Sequence, residues 1–392
     1  MDDGENGAGF PTINDAWDLI LGHVPEQYQQ SFALFAVLAV LIYAAVKFIT
    51  ALLGLVQQIK TVTGWGLPKE PEIGVPDDIR APRIGFWNEA VRPGAKVDWS
   101  TPRVPVVTTA AMKGGVGKTT ITANLAAYFD NQGKRVLMID FDYQGSLSQM
   151  ALAAANKSKK GTSVDDLISG DRSMIGILDD AESLKPALQR SKILTCYYEF
   201  SNTETEEMIA WIVDTKQGQN PRDIRFRLET LLSDPAIKND FDLVLIDSPP
   251  RFTTGSINAF CASTHLLIPT VLDQMSAEAA VYFSQDIAAM RQNLFPNLEL
   301  IGVVPSMTWR TNTFSFRENN VIDYLESNLG RYWGGESTVL KHCAIPRKNA
   351  FGNVAGSGIS YLNAGNQAAT AEVRAIVDRL GKHVADTIWN EN

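Results

Sequence analysis

One glycine-rich segment, residues 113–120 with the sequence KGGVGKTT, restricts the fold of this chain more than any other feature. It lies between a predicted strand at 104–109 and a predicted helix at 118–132. Gly133 follows this helix and is suited to the left-handed conformation that commonly ends a helix. In this setting the loop amides and the helix N-terminus face an anion. The segment therefore predicts a phosphate-binding loop in an α/β domain.

Each residue type in this loop has a chemical reason to bind a triphosphate. Glycine lets the backbone approach phosphate closely, Lys118 supplies positive charge to the β- and γ-phosphates, and the Thr119 hydroxyl is positioned for Mg²⁺. The strict motif has glycine at position 112, whereas this chain has Met112 there, followed by an additional lysine. ATP and Mg²⁺ are the predicted cofactors, and the predicted nucleotide-binding residues of the loop are Gly114, Gly115, Val116, Gly117, Lys118, Thr119 and Thr120.

Acidic residues follow two further predicted strands. Asp140 and Asp142 end the apolar run at 135–140, and Asp247 ends the run at 241–247. A single aspartate there would be an ordinary turn residue, but carboxylates at the C-terminal ends of parallel strands converge on a bound ligand. Three of them after a phosphate-binding loop predict a nucleoside triphosphate site.

From residue 104 onward, short apolar runs alternate with helical stretches, and two more strands are predicted at 265–271 and 298–305. This alternation is typical of a mostly parallel, doubly wound α/β sheet of the P-loop NTPase class. We assign residues 104–392 to this domain. Within it, residues 147–239 are charged and less periodic, and we predict that they form a helical insertion region.

The loop at 113–120 and the run VLMIDFD ending at Asp142 together resemble the ParA/MinD family of deviant Walker A P-loop ATPases. The likeness extends over about residues 104–380. It implies a homodimer that forms when ATP binds and that hydrolyses the ATP slowly. A protein partner is expected to stimulate this hydrolysis. In such a dimer Lys113 reaches across to the partner's phosphates, Asp142 positions the attacking water, and Asp247 holds Mg²⁺ through water.

The resemblance completes the set of candidate site residues. Lys113, Lys118 and Asp142 are the predicted catalytic residues, and Pro346 and Arg347 match a loop on the adenine side. The sequence departs from the family at two places, because Tyr143 stands where partition ATPases usually have proline and Arg251 stands where a small residue is common. The predicted metal residues are Thr119, Asp142 and Asp247.

Residues 32–56 are apolar apart from Lys47 and are long enough as a helix to cross a bilayer. The run begins late and no Lys or Arg precedes it, which disfavours a cleavable signal peptide. Acidic residues precede it and basic residues follow it, so the ATPase domain is predicted inside. We expect a single-pass protein of the bacterial inner membrane, with its ATPase domain in the cytoplasm and an extracytoplasmic segment, residues 1–31, that contains a short amphipathic helix.

Residues 57–103 contain six of the 18 prolines and form a predicted Pro-rich, mostly extended linker. Its aromatic residues, among them Trp87, are suited either to the membrane interface or to packing along the following domain. The sequence leaves both alternatives open.

Three other functions compete with a membrane-anchored ATPase that positions or assembles a partner complex. A DNA-partition ATPase needs a basic surface, but the net charge of the chain is −9. Residues 1–100 contain seven of the 35 basic and twelve of the 44 acidic residues, so residues 101–392 contain 28 basic and 32 acidic residues and are slightly acidic. Binding of nonspecific DNA is therefore disfavoured. A bacterial tyrosine kinase would modify tyrosines in its C-terminal tail, and residues 381–392 contain none. An ATP-binding scaffold with vestigial turnover is disfavoured because the catalytic residue types are all present.

Overall fold

The computed structural model describes residues 41–52, 85–91, 103–158, 164–169, 181–196, 200–217, 223–311, 313–334, 338–347, 358–362 and 368–390, with isolated positions at 25, 27, 28, 30, 34, 38, 177 and 351. The chain divides into two compact units, Met1–Lys69 and Glu70–Asn392.

In the first unit, residues 41–52 are helical and expose large apolar side chains such as Leu41, Ile42 and Phe48. The Lys47 ammonium lies 5.7 Å from the centroid of the Tyr43 ring. Among the described residues, no helix has the length and apolar character that a bilayer crossing requires. Much of the span predicted at 32–56 and the amphipathic helix predicted before it lie outside the described residues.

The second unit is built on an eight-stranded sheet with the strand order β3-β4-β2-β5-β1-β6-β7-β8. Neighbouring strands are parallel except for the short β3, which pairs antiparallel with β4. The mostly parallel α/β sheet predicted from the sequence is confirmed. The strands are β1 (Val106–Thr109), β2 (Val136–Asp140), β3 (Glu182–Ser183), β4 (Lys192–Leu194), β5 (Leu243–Asp247), β6 (His265–Val271), β7 (Glu299–Thr308) and β8 (Ile345–Pro346).

The central strands are buried on both sides because helices cover both faces of this sheet. Successive side chains of a strand alternate between faces, so Leu137 and Ile139 of β2 join one core cluster while Val136 and Met138 join the other. The helices are α1 (Lys118–Asn131), α2 (Ser146–Ala154), α3 (Val164–Ser169), α4 (Phe200–Gln217), α5 (Arg227–Leu232), α6 (Pro235–Asp240), α7 (Thr254–Ala262), α8 (Gln274–Leu294), α9 (Phe316–Trp333) and α10 (Ala368–Asn390).

The two faces carry different helices. Helices α1, α2 and α10 pack on one face, and the other face is covered mainly by helices from α3 to α9. Helix α1 begins and ends close to the predicted residues, and Gly133 beyond its C-terminus has a φ of 83°. The stretch 147–239, in which we predicted helical insertions, contains several of the helices together with the short strands β3 and β4.

The structure decides between the two alternatives for Trp87. This side chain is 5% exposed and stacks on Trp211 of α4, with ring centroids 6.3 Å apart. Arg225 holds the same segment, because its guanidinium donates to the carbonyl oxygens of Trp87 at 2.7 Å and Glu89 at 2.8 Å. The guanidinium is itself buried and paired with Asp223 at 2.5 Å. This part of the predicted linker therefore packs onto the ATPase unit rather than at a membrane interface.

We expect Arg225→Met to lower the free energy of unfolding by about 3–5 kcal/mol, because it removes the positive partner of the buried Asp223 carboxylate and the donor to two carbonyl groups. Urea denaturation followed by tryptophan fluorescence measures the change. Arg135→Met is the matched control, since the Arg135–Asp242 pair is 39% and 32% exposed and should contribute no more than about 1 kcal/mol. Equal losses in the two variants would contradict the importance of the Arg225 contacts.

Candidate functional site

The loop between β1 and α1 has the backbone that an anion site requires. Gly115 and Gly117 have φ values of 75° and 92°, a left-handed conformation that glycine adopts without strain. Gly117 is the N-cap of α1, and no side chain caps the helix there. A Cβ atom added at either glycine would meet nothing within 4 Å, so the loop is open in front of these amides. The first amides of α1 are thus free to bind phosphate oxygens.

Lys118 lies inside this loop. Its side chain is buried, and the ammonium donates to the carbonyl oxygen of Lys113 at 3.4 Å. Burial lowers the pKa of Lys118, and the carboxylates of Asp247 and Asp142 partly offset this effect. The lysine therefore sits between the loop backbone and the acidic residues of two other strands, where a triphosphate would supply further negative charge.

Asp140 and Asp247 are neighbours in register at the ends of the parallel strands β2 and β5. Both side chains are fully buried. Burial, opposed by hydrogen bonds from Ser148, raises the pKa of Asp140 to about 6. Burial and then the nearby Asp140 carboxylate raise the pKa of Asp247 well above its usual range. Two carboxyls so placed are poorly solvated, and a cation would stabilise their ionised forms.

The residues at this point fit Mg²⁺. The Thr119 hydroxyl donates to Asp247 Oδ2 at 2.6 Å, which brings together two of the three predicted metal residues. Asp247 Oδ1 is buried and accepts no hydrogen bond, so one carboxylate oxygen has unused capacity. No cluster of three or more His, Cys, Asp or Glu suited to a metal occurs in the described part of the chain. An ion held by one hydroxyl, a carboxylate and phosphate oxygens does not need such a cluster, and bound Mg²⁺ would neutralise phosphate charge.

Asp142, the third predicted metal residue, lies on the loop that follows β2. Its N–H donates to Asp140 Oδ1 at 3.2 Å, and its own Oδ1 accepts from the Gln144 N–H at 3.1 Å. The loop then turns at Gly145, which has a φ of 63° and starts α2. These contacts hold the Asp142 carboxylate at the same sheet edge as Lys118 and Asp247.

Lys113 occupies a different position from Lys118. Its side chain is 37% exposed, and its ammonium lies 3.2 Å from Asp273 Oδ1 and 2.6 Å from the Ser276 hydroxyl. Asp273 is the N-cap of α8, and its side chain accepts from the Ser276 N–H at 2.9 Å. Although burial raises the pKa of Asp273, the hydrogen bonds from Ser276 and Lys113 outweigh it and lower that pKa. Lys113 is therefore held at the outer side of the loop by the start of α8.

The two segments predicted on the adenine side lie next to each other. Pro346 is on β8, which pairs with the end of β7, and the Arg347 N–H donates to the Thr308 carbonyl at 2.8 Å. Strands β6 and β7 separate β8 from β1, after which the loop begins. The structure thus places Pro346 and Arg347 along the edge formed by the C-terminal ends of the strands, and it does not bring them into the cluster around Lys118.

Sequence reasoning missed three residues that position the site, Ser148, Asp273 and Ser276. Ser148 donates from both its N–H and its hydroxyl to Asp140 Oδ2, at 2.8 and 2.7 Å. Asp273 and Ser276 have the spacing of a helix N-cap with the residue it contacts, which is a readable signal for a helix start. Their contact with Lys113, which lies 160 and 163 positions earlier, leaves no trace in the local sequence.

The two departures from the family pattern contact each other. The Arg251 guanidinium donates a hydrogen bond to the Tyr143 hydroxyl and lies 5.3 Å from the centroid of its ring. Met112, the other unusual residue, is partly buried and packs against the core, so at this position the loop has an apolar anchor.

Comparisons with known proteins agree with this geometry. Over residues 104–300 the chain matches the family model described as AAA domain. It is similar to the chromosome partitioning protein ParA of Caulobacter vibrioides, with 30% identity over 54% of this chain and 72% of that protein. It is also similar to the chromosome-partitioning ATPase Soj of Thermus thermophilus, with 27% identity over 52% of this chain and 70% of that protein. The structure of the cell division ATPase MinD of Pyrococcus furiosus shares the fold, with a TM-score of 0.52 and 17% identity over 72% of this chain and 99% of that one.

We expect MgATP to bind more weakly as the pH falls from about 8 to about 5, because protonation of carboxyls with raised pKa values removes the charge that attracts Mg²⁺. This range includes the pKa of Asp140 at about 6. Below the pKa of the carboxyl that holds the ion, the loss should approach about tenfold per pH unit. Titration with a fluorescent ATP analogue, with Mg²⁺ and with EDTA, measures the Mg²⁺-dependent part of the affinity.

Asp247→Asn is the control for this titration. It should bind the nucleotide weakly at every pH, and adding Mg²⁺ should give little gain. A Mg²⁺-dependent gain that is the same at about pH 5 and about pH 8 in the unaltered protein would contradict the assignment of these carboxyls to the ion.

Proposed function

Because this chain belongs to the ParA-type P-loop ATPases and hydrolyses ATP with Mg²⁺, we propose that its ATP cycle works as a dimerisation switch. In this proposal ATP binding assembles two subunits, and slow hydrolysis, stimulated by a protein partner, releases them. The assembled state positions or assembles a partner complex. The proposed ATPase domain extends over residues 104–392.

The different positions of the two loop lysines carry this proposal. Lys118 is buried within its own loop, whereas Lys113 is 37% exposed and is held outward by Asp273 and Ser276. A lysine kept at the outer side of a phosphate-binding loop is placed to add positive charge to a triphosphate on a second molecule. The proposed contact between subunits is therefore Lys113 to the partner's phosphates.

The remaining roles follow the chemistry of phosphoryl transfer. In this proposal Lys118 binds the β- and γ-phosphates, Thr119 and Asp247 hold Mg²⁺, and Asp142 orients the attacking water. The positions of these side chains at one edge of the sheet support those roles. Mg²⁺ held by these residues would neutralise charge on the phosphates, and the residues of the chain supply orientation.

Three variants separate binding, assembly and hydrolysis. Lys118→Ala should abolish ATP binding, because it removes the buried positive charge of the loop. Asp142→Ala should bind ATP and dimerise but lose turnover by at least about a hundredfold. Lys113→Ala should bind ATP yet remain monomeric when light scattering is measured after gel filtration with ATP. Turnover of Asp142→Ala equal to that of the unaltered protein, or ATP-dependent dimers of Lys113→Ala, would refute the assigned roles.

We further propose that residues 32–56 anchor the switch in the bacterial inner membrane, with residues 1–31 outside and the ATPase domain in the cytoplasm. The asymmetric charge around this segment and the exposed apolar side chains of residues 41–52 support the anchor. Residues 57–103 would then connect the anchor to the ATPase domain.

A second candidate function is partition of DNA. Relatives with similarity over half of this chain are named chromosome partitioning proteins. That function requires contacts to DNA phosphates and hence a basic surface, and the slightly acidic ATPase region argues against it. The two candidates differ in where the ATP-bound protein is retained.

Alkaline extraction of native membranes tests the anchor, and fluorescence anisotropy with duplex DNA and ATP tests the alternative. We expect the full chain to stay in the membrane pellet and to show no DNA affinity that falls steeply with salt. Release into the supernatant, together with salt-sensitive DNA binding by the ATP-bound protein, would replace the membrane switch with a partition ATPase.

A further inference from the structure

Tyr143 and Arg251 link two loops that sequence separates by 108 positions. Tyr143 directly follows Asp142, and Arg251 lies four residues after Asp247. The contact between them has two parts, a hydrogen bond from the guanidinium to the phenol and the approach of the guanidinium to the ring. It therefore joins the loop that carries the proposed hydrolytic residue to the loop that carries the proposed Mg²⁺ residue.

On the Arg251 side, the residues that follow the arginine are held by aromatic packing and by a helix cap. The next residue, Phe252, packs its ring 6.3 Å from that of Phe260 and 6.0 Å from that of Phe283. Thr253 then starts α7 with a capping box in which Ser256 is the partner. Because these contacts hold the chain directly after Arg251, the guanidinium extends from an anchored loop.

The Tyr143 side is held by hydrogen bonds of the Asp142 loop and by the core. The Asp142 loop is attached by its N–H bond to Asp140 and by the turn in which the Gly145 N–H donates to the Asp142 carbonyl at 2.7 Å. The Tyr143 ring is partly buried against the core. Arg251 adds a contact from outside, and within the described residues no carboxylate pairs with its guanidinium. The arginine is therefore available to this loop.

We propose that Arg251 and Tyr143 are positioning residues for hydrolysis, which hold the Asp142 loop against the Asp247 loop. The proposal rests on the proposed role of Asp142 in orienting water. Arg251 is exposed, so its contact contributes little to the free energy of unfolding. We expect its loss to lower kcat, because a small displacement of a group that orients water slows the reaction strongly.

A double-mutant cycle on the full-length protein tests the contact. Arg251→Ala should lower kcat for ATP by about tenfold, while KM and the Kd for MgATP stay within about twofold. Tyr143→Phe, which keeps the ring and removes the hydroxyl, should lower kcat by a smaller factor. The double variant should be no slower than Arg251→Ala, because both changes remove one shared interaction. Arg251→Lys should recover only part of kcat, since lysine lacks the planar guanidinium.

Arg190→Ala is the matched control, because it removes an exposed arginine from the turn before β4. It should leave kcat unchanged. Unchanged kcat in both single variants, or effects that multiply in the double variant, would overturn the positioning role. A fall in the free energy of unfolding that accounts for the loss of kcat would also overturn it.

The same assay separates this inference from the proposed function. If Asp142→Ala retains turnover, the role of Asp142 fails, although the coupling between positions 143 and 251 is still measured. If Asp142→Ala is inactive and the cycle shows no coupling, the switch stands and the positioning role of Arg251 and Tyr143 fails.

Discussion

The nucleotide site depends on two buried carboxyls, Asp140 and Asp247, at the ends of neighbouring parallel strands. Their register makes them close neighbours, and burial raises the pKa of both. Nearby groups compensate for this arrangement: Ser148 donates twice to Asp140, and Thr119 donates to Asp247. Asp247 Oδ1 remains without a donor. The site thus contains carboxyls whose ionised forms Mg²⁺ bound to a triphosphate would stabilise. Binding of this ligand would therefore stabilise the folded site.

The two lysines of the phosphate-binding loop lie in different surroundings. Lys118 lies where burial lowers its pKa and two carboxylates oppose that effect, so its charge is directed to the interior of the loop. Lys113 is only five positions earlier but is drawn to Asp273 and Ser276 at the start of α8. Helix α8 follows β6, the strand on the other side of β1 from Asp247. The strands on either side of β1 therefore place the two lysines in different surroundings, Lys118 near Asp247 and Lys113 at Asp273 and Ser276.

Much of the fold was predictable because its signals are local. Apolar runs ended by aspartate gave β2 and β5 to within a few residues, and the glycine loop located β1 and α1. The clustering of Thr119, Asp142 and Asp247 was also predictable, since parallel strands place their C-terminal ends at one edge. The position of Trp87 was not, because an aromatic residue among prolines suits a membrane interface and a protein core equally well. The buried Arg225 that holds it lies 138 positions away.

Spacing over a few residues was enough to identify the phosphate-binding loop, strands β1, β2, β5, β6 and β7, helix α1 and the residue types of the site, whereas β3, β4 and β8 were not predicted. Which distant side chains meet depends instead on the arrangement of the strands in the folded sheet. Asp273 and Ser276 reach Lys113 because β6 pairs with β1, and Arg251 reaches Tyr143 because β5 pairs with β2, so that the loops after paired strands meet at one edge. Such contacts join residues more than a hundred positions apart, and the chain's geometry rather than any local pattern selects them.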